Sequence, residues 1–326
     1  MTSGLVYVTD QDPGITRKRR GRGFSYTAPD GTAIARGSER KRIEALAVPP
    51  AYEDVWICTN LNGHLQATGR DARRRKQYRY HPDWSAAQSN AKFEELATFG
   101  NLLPAIRRRV ESDLETDPGD AEFALAAAVK IIDRAALRVG HPEYTRQNGT
   151  YGALTLRRKH LTLDDDYTAL RFTAKGGKKV KKLITDRKLQ KLLQVVNDLP
   201  GATLLTWTDE DGAPHQLSSQ ALNAYLADAA NDTHVTAKSF RTWAGTLAAF
   251  SCAEGGNVTI KEMAQAAATR LHNTPTVARN SYIHPAVIEL AGKQNAPFQP
   301  IKKAGLVAAE QRLMRLLLST PASKQN

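Results

Sequence analysis

Short runs of alternating apolar and polar positions, broken by turn residues, occupy the first eighty residues, which is the pattern of half-buried strands. In GFSYTAPDGT (residues 23–32) a Pro29-Asp30-Gly31 turn interrupts the pattern, and in VWICTNLNGHLQATG (55–69) apolar positions alternate around Asn62-Gly63, a strong hairpin signal. From Trp84 the period lengthens. WSAAQSNAKFEELATFG (84–100) and NLLPAIRRRVESDL (101–114) are spaced for amphipathic helices, predicted to end near Gly100 and Pro118. This change of period sets a boundary near residue 84, giving a β-rich N-terminal domain (1–84) and a mostly helical domain (85–326).

In the second domain Asp120 is a candidate N-cap for a helix whose apolar Leu125, Val129, Ile132 and Ala136 recur at helical spacing. Gly140 is the predicted residue after its C-terminus, which places Arg138 in the last turn. Three β-like runs follow, GALTLRRKHLTL (152–163), YTALRFTA (167–174) and KKVKKLIT (178–185), separated by DDD (164–166) and KGG (175–177). Helical spacing returns in DRKLQKLLQVVNDL, SSQALNAYLADAAN, KSFRTWAGTLAAFSCAEGG and TIKEMAQAAATRL. The segment IKKAGLVAAEQRLMRLLL (301–318) reads as an amphipathic helix that packs on the fold or flanks a nucleic acid rather than anchoring in a membrane. The expected class is α+β: a small β-rich domain, then a mostly α-helical domain with a small three-stranded antiparallel sheet.

Composition narrows the partner. The 326 residues carry 46 Lys+Arg against 33 Asp+Glu, a net charge of +13, and 41% are hydrophobic. That balance suits a folded chain with a polyanionic partner and excludes a disordered or membrane-embedded one. Cys58 and Cys252 stand far apart without metal-ligand spacing, and the N-terminus lacks the apolar stretch of a secretory signal, so a reducing cytoplasm is expected. RKRRGR (17–22) reads as a solvated basic arm touching phosphate, or as a nuclear address.

Candidate chemistry is distributed along the helical part. On a wheel of KSFRTWAGTLAAF, Phe240, Trp243, Leu247 and Phe250 form an apolar stripe, with Lys238, Arg241 and Gly245 opposite it. By itself this is a surface helix with a solvated basic face, although a mid-helix glycine suits a site that another backbone or a ligand approaches closely. Lys175 begins a Gly-Gly turn, where an exposed ammonium can solubilise the chain or enter a DNA groove. DDD reads as a turn rather than a metal site, because consecutive residues point in different directions. In LHNTPTVARNSYIHP (271–285), Thr274 and Pro275 begin a short helix that ends at Tyr282, since Pro285 disfavours helical geometry at His284. A free phenol ionises near about 10, so a tyrosine attacks at neutral pH only where cations stabilise the phenolate.

The ordered set Arg138, Lys175, Lys238-x-x-Arg241, Asn273 and Tyr282 resembles the catalytic domain of type IB DNA topoisomerases, particularly the compact bacterial, poxvirus-like form. DPGITRKRRGRGFSY, RIEALAVPPAYEDVWI and GHLQATGRDARRRKQYRYH are similar to the N-terminal clamp domain of those enzymes, so the resemblance reaches about residue 292. It implies a catalytic set of Tyr282, Arg138, Lys175, Arg241 and Asn273. Asn273 stands where many relatives carry histidine; His272 lies one residue too early. It also implies DNA contacts from Arg75, Lys76, Gln77, Tyr78, Tyr80 and Lys238. Ala174 and Arg74 depart from the family pattern, each standing where glycine is usual. The implied activity is relaxation of positive and negative supercoils through a 3′-phosphotyrosyl intermediate, without ATP, metal or cofactor, by a monomer closing as a clamp around double-stranded DNA in the bacterial nucleoid. The alternatives are a tyrosine recombinase, which usually has His-x-x-Arg in place of Lys238-x-x-Arg241 and lacks the N-terminal β domain, and a non-catalytic architectural nucleic-acid binder.

Overall fold

The computed structural model describes residues 4–164, 166–294 and 298–319, with the backbone alone at 89–91. The chain forms two compact units, Met1–Lys92 and Phe93–Asn326. In the first, strands β1 (Ile15–Arg20), β2 (Gly23–Thr27), β3 (Glu53–Ile57), β4 (Leu65–Arg70) and β5 (Lys76–Tyr80) make an antiparallel sheet in the order β2-β1-β3-β4-β5. Helix α1 (Ser38–Ala45) contributes Ile43 to a core shared with Ile15, Tyr26, Val55, Ile57 and Ala67. That helix was not expected, because its eight residues SERKRIEA carry one large apolar side chain and therefore no readable period.

Two local expectations change in this unit. RKRRGR is not a free arm. Residues 15–20 are strand β1, and Arg17 turns inward to donate to the carbonyls of Val48 (2.9 Å), Pro49 (2.9 Å) and Tyr52 (2.7 Å), stacked over the Phe24 ring. The hairpin signalled by Asn62-Gly63 exists, but as a wide loop between β3 and β4. Its carbonyls at Asn60, Leu61 and Gly63 are all satisfied by the Gln66 side chain, at 3.1, 3.1 and 2.8 Å.

Helix α2 (Pro82–Asp113) runs continuously through Gly100 and Pro104, where two helices had been expected. Gly100 is a packing residue rather than a terminator: a Cβ there would meet the Met314 sulfur and come within 2.7 Å of the Trp243 ring. In the second unit α3 (Ala121–Ala135), α5 (Arg187–Asp198), α6 (Ser219–Ala230), α7 (Ala237–Ala253), α8 (Ile260–Leu271), α9 (Pro275–Tyr282), α10 (Pro285–Ile288) and α11 (Ala308–Ser319) enclose one large core, while the short α4 (Pro142–Asn148) buries no residue. Strands β6 (Leu161–Leu163), β7 (Thr168–Ala174) and β8 (Lys178–Ile184) form the expected three-stranded antiparallel sheet, and β9 (Thr206–Thr208) pairs with β10 (Pro214–Gln216). Of the first β-like run only β6 pairs. Residues before it make 3-10 turns, and the amides of Ala153 and Leu154 bond instead to the carbonyls of Arg138 (2.7 Å) and Val139 (2.8 Å). DDD lies partly outside the described residues, at Asp165; Asp164 accepts the Asp166 amide at 3.3 Å, as in a turn.

Helix α3 stops earlier than expected. Its C-cap is Ala136, in the left-handed region at φ 53°, so Arg138 lies beyond the helix and not in its last turn. The reason is non-local: the carbonyls of its last turn are taken by basic side chains from elsewhere in the fold, as described below. Asp120 occupies the N-cap position but its carboxylate makes no capping bond. The C-terminal helix α11 is packed, with Leu313, Met314, Leu316 and Leu317 buried.

Candidate active site

Tyr282 sits at a break between two helices. Thr274 accepts the Val277 amide at 3.3 Å to start α9, Pro275 occupies its first position, and the helix ends at Tyr282 because Ile283 is extended. His284 then caps α10, whose first residue is Pro285. A break of this kind frees backbone groups that need partners. One hydroxyl supplies both: Thr246 Oγ1 on α7 donates to the Tyr282 carbonyl (3.0 Å) and accepts the His284 amide (3.1 Å). Beside it, a Cβ on Gly245 would lie 2.9 Å from both the Cβ and the carbonyl oxygen of Tyr282, so the mid-helix glycine is what lets the Tyr282 backbone come so close.

The basic face of α7 is not solvated as the isolated segment suggested. Arg241 is 5% exposed. Its Nη1 donates to the Ala136 carbonyl and its Nη2 to the Leu271 carbonyl (3.1 Å), so it spans the C-terminal ends of α3 and α8, where aligned peptide dipoles concentrate partial negative charge. Its guanidinium carbon lies 5.3 Å from the centre of the Tyr282 ring, and Nε has no partner among the described residues. Burial, with the neighbouring Arg138 charge, pulls Arg241 down to about 10, partly offset by Tyr282.

Arg138 donates through Nη2 to Asn273 Oδ1 and is also held below its ordinary value by burial, with Tyr282 acting in the opposite direction. The Asn273 amide nitrogen is buried and has no partner among the described residues. His272, in the left-handed C-cap of α8, is pushed down to about 4 by burial and then by Lys182, Arg241, Arg270 and Arg138, so its imidazole is neutral at pH 7. Neither Arg138 nor Arg241 pairs with a carboxylate among the described residues. Two guanidinium groups taken out of water without a counter-ion are costly, and an anionic ligand bound there offsets that cost.

The structure thus brings Arg138, Arg241, Asn273 and Tyr282 together. Lys175 is exposed at the tip of the β7–β8 hairpin, where the Gly177 amide bonds to the Ala174 carbonyl (3.1 Å) and Gly176 and Gly177 take φ of 81° and 74°. Lys238 is exposed on the first turn of α7.

The remaining candidates lie on the first unit. Tyr78 and Tyr80 project from edge strand β5, 49% and 46% exposed, with rings parallel to within 9° at 6.0 Å. Lys76 pairs with Asp10 (2.5 Å), and Asp71 accepts from both Arg75 (2.6 Å) and Gln77 (3.0 Å). The hydrogen bonds from Arg75, backed by the Arg75 and Arg73 amides, hold the Asp71 carboxyl down at about 2. Arg74, the departure from glycine, takes φ 57° in the β4–β5 turn, a conformation that glycine adopts without strain.

Sequence reasoning did not find Thr246, Lys182 or Arg270. Thr246 carries no periodic signal, and the two cations look like any solvated basic residue until the helix ends they cap are known.

Comparison with known proteins bears on this arrangement of tyrosine and cations. Residues 81–293 match the family described as eukaryotic DNA topoisomerase I, catalytic core, and residues 23–71 match the bacterial DNA topoisomerase IB N-terminal domain. The chain is 28% identical over 238 residues to DNA topoisomerase 1B of Acanthamoeba polyphaga mimivirus, covering 72% of this chain and 70% of the relative. It is 22% identical over 260 residues to DNA topoisomerase 1B of Vaccinia virus (strain Copenhagen), covering 75% and 77%. The chain belongs to the type IB DNA topoisomerase family, and it is a type I topoisomerase.

Proposed function

We propose that this chain relaxes positively and negatively supercoiled double-stranded DNA by transient cleavage of one strand. The Tyr282 hydroxyl loses its proton to water and its oxygen attacks a backbone phosphorus. A 3′-phosphotyrosyl bond forms as the bond to the 5′ oxygen breaks. The freed 5′ end rotates about the intact strand and reattacks to restore the DNA. The pentacoordinate transition state gathers negative charge on the nonbridging oxygens, and Arg138 and Arg241 are planar donors matched to it. The orphan Asn273 amide adds a neutral donor. Lys175 protonates the departing 5′ oxygen, a role open to a mobile ammonium and closed to a guanidinium that does not deprotonate. Hairpin motion on binding DNA is part of this reading, since Lys175 is solvated at its tip. The phosphotyrosine conserves the bond energy, so neither ATP nor a metal ion is required. We take the protein to act as a monomer, with Arg75, Lys76, Gln77, Tyr78 and Tyr80 adding a second DNA contact.

The observation that carries this reading is a pair of arginines without carboxylate partners among the described residues, Arg241 buried over the Tyr282 ring and Arg138 half-buried, both beside donors left unused. Relaxation of supercoiled plasmid in excess EDTA tests it: wild type is expected to relax both signs of supercoil, and Tyr282→Phe neither. A wild-type chain inactive under these conditions refutes the proposal; novel DNA junctions in place of a changed linking number would point to a recombinase.

A further inference from the structure

The strand that leaves the Lys175 hairpin returns a second lysine to the site from behind. Lys182 on β8 places Nζ 2.6 Å from the Ala135 carbonyl and 3.4 Å from that of Arg270. These are the residues immediately before Ala136 and Leu271, whose carbonyls Arg241 bridges. Two residues beyond each bridged carbonyl stand Arg138 and Asn273, joined side chain to side chain. Arg270 itself donates to the Arg134 carbonyl at 2.8 Å. The ends of α3 and α8 therefore lie side by side like the rails of a ladder. Its successive rungs are Arg270, Lys182, Arg241 and the Arg138–Asn273 pair, and the last two are the groups assigned to the phosphate.

We infer that Lys182 is a positioning residue for strand cleavage: by bridging the C-terminal ends of α3 and α8 it fixes the register at which Arg241, Arg138 and Asn273 converge on Tyr282. The inference rests on the proposed role of those four residues. Lys182 pairs with no carboxylate among the described residues, and burial first, then Arg270 and Arg241, bring its ammonium down to about 7. A position needed only for packing is filled at least as stably by an apolar side chain, because a half-buried amine without a counter-ion is costly. What the lysine adds is two N–H donors for two helix-end carbonyls that have no other partner among the described residues.

The test is single-turnover cleavage of a duplex whose short 5′ fragment dissociates, measured beside equilibrium DNA affinity and well below each variant's melting temperature. Lys182→Met is expected to slow formation of the covalent adduct about 10- to 100-fold, the scale of an ångström-sized misplacement of catalytic groups, while DNA affinity changes less than about twofold. Lys182→Arg is expected to restore most of the rate, because a guanidinium also offers two N–H donors and Lys182 borders an open pocket of about 350 Å³, lined also by Trp243 and Arg270. A Lys182→Met variant that cleaves at the wild-type rate, or one that loses affinity and rate in parallel, overturns the inference. Should that variant not fold, Lys182→Gln, which reaches one carbonyl at most, is compared with Lys182→Arg, and equal rates overturn it. A wild-type chain that forms no Tyr282-dependent adduct overturns the site reading and this inference together. A normal wild-type adduct with an unslowed Lys182→Met overturns this inference alone.

Discussion

At Gly245 a single methyl group sets helix propensity against packing. Replacing a mid-helix glycine by alanine gains about 0.5–1 kcal/mol, while forcing a methyl into a filled space costs about 1–3 kcal/mol. The Leu271 methyl at 2.8 Å can turn aside, but the Tyr282 carbonyl at 2.9 Å is backbone held by Thr246. Gly245→Ala is therefore expected to change the melting temperature little and to lower the single-turnover cleavage rate about tenfold or more, through displacement of Tyr282. Scanning calorimetry beside cleavage kinetics checks this, and an unaltered rate would show that the glycine is not there for the tyrosine. Gly245 was legible because a glycine inside a helix requires a reason. Thr246 was not, since nothing local distinguishes a threonine that holds two backbone groups from one that faces water. Arg74 was legible as a departure from the family pattern, but its left-handed conformation was not.

Among the elements, period announced the longer helices, though not the short α1 and α4, and chemistry elsewhere decided their ends. The spacing of Leu189, Leu192, Leu193 and Val196 made α5 readable, and Asp186 caps it through the amides of Lys188 (3.0 Å) and Leu189 (3.2 Å). The end of α3 was unreadable because its last carbonyls are taken by Lys182, Arg241 and Arg270 from three other elements. The C-terminal helix was readable as amphipathic, but not its anchor: Arg107 on α2 binds Asp133 (2.8 Å) and Glu310 (2.9 Å), and Trp243 donates to Glu310 at 3.1 Å. Burial pushes the Glu310 carboxyl up, but bonds from Arg107, the Val307 amide and Trp243 outweigh it and leave it below its ordinary 4.5. A depressed carboxylate contributes its full stability above its unfolded value and loses it as pH falls through the folded value. Glu310→Gln is thus expected to lower stability by about 2 kcal/mol at pH 7, the scale of a charged hydrogen bond, with the difference from wild type shrinking below pH 4.5. Denaturant titrations at neutral and acid pH measure it; a gap that stays constant on acidification would remove Glu310 from the anchor.

At the scale of the whole molecule, the charge of +13 points to a polyanion without identifying which cations meet it. Several are occupied inside the fold: Arg17 on three carbonyls, Arg107 between two carboxylates, Arg312 on Glu254. Lys238 and Lys175 are exposed. DNA affinity measured against salt separates the two kinds, because each phosphate neutralised contributes about 0.9 to the slope of log K against log salt, whereas a cation spent on the fold contributes nothing to it. Lys238→Ala is expected to reduce the slope by about 1, and Arg107→Ala to cost stability while leaving the slope of the folded protein unchanged. Tyr282→Phe should keep the wild-type slope while losing the covalent adduct, since its phenol carries no charge to exchange for a counter-ion. A Lys238→Ala slope equal to wild type would take that lysine off the DNA surface, and a reduced slope for Arg107→Ala would mean that the buried network, not the exposed lysines, sets the field the duplex meets.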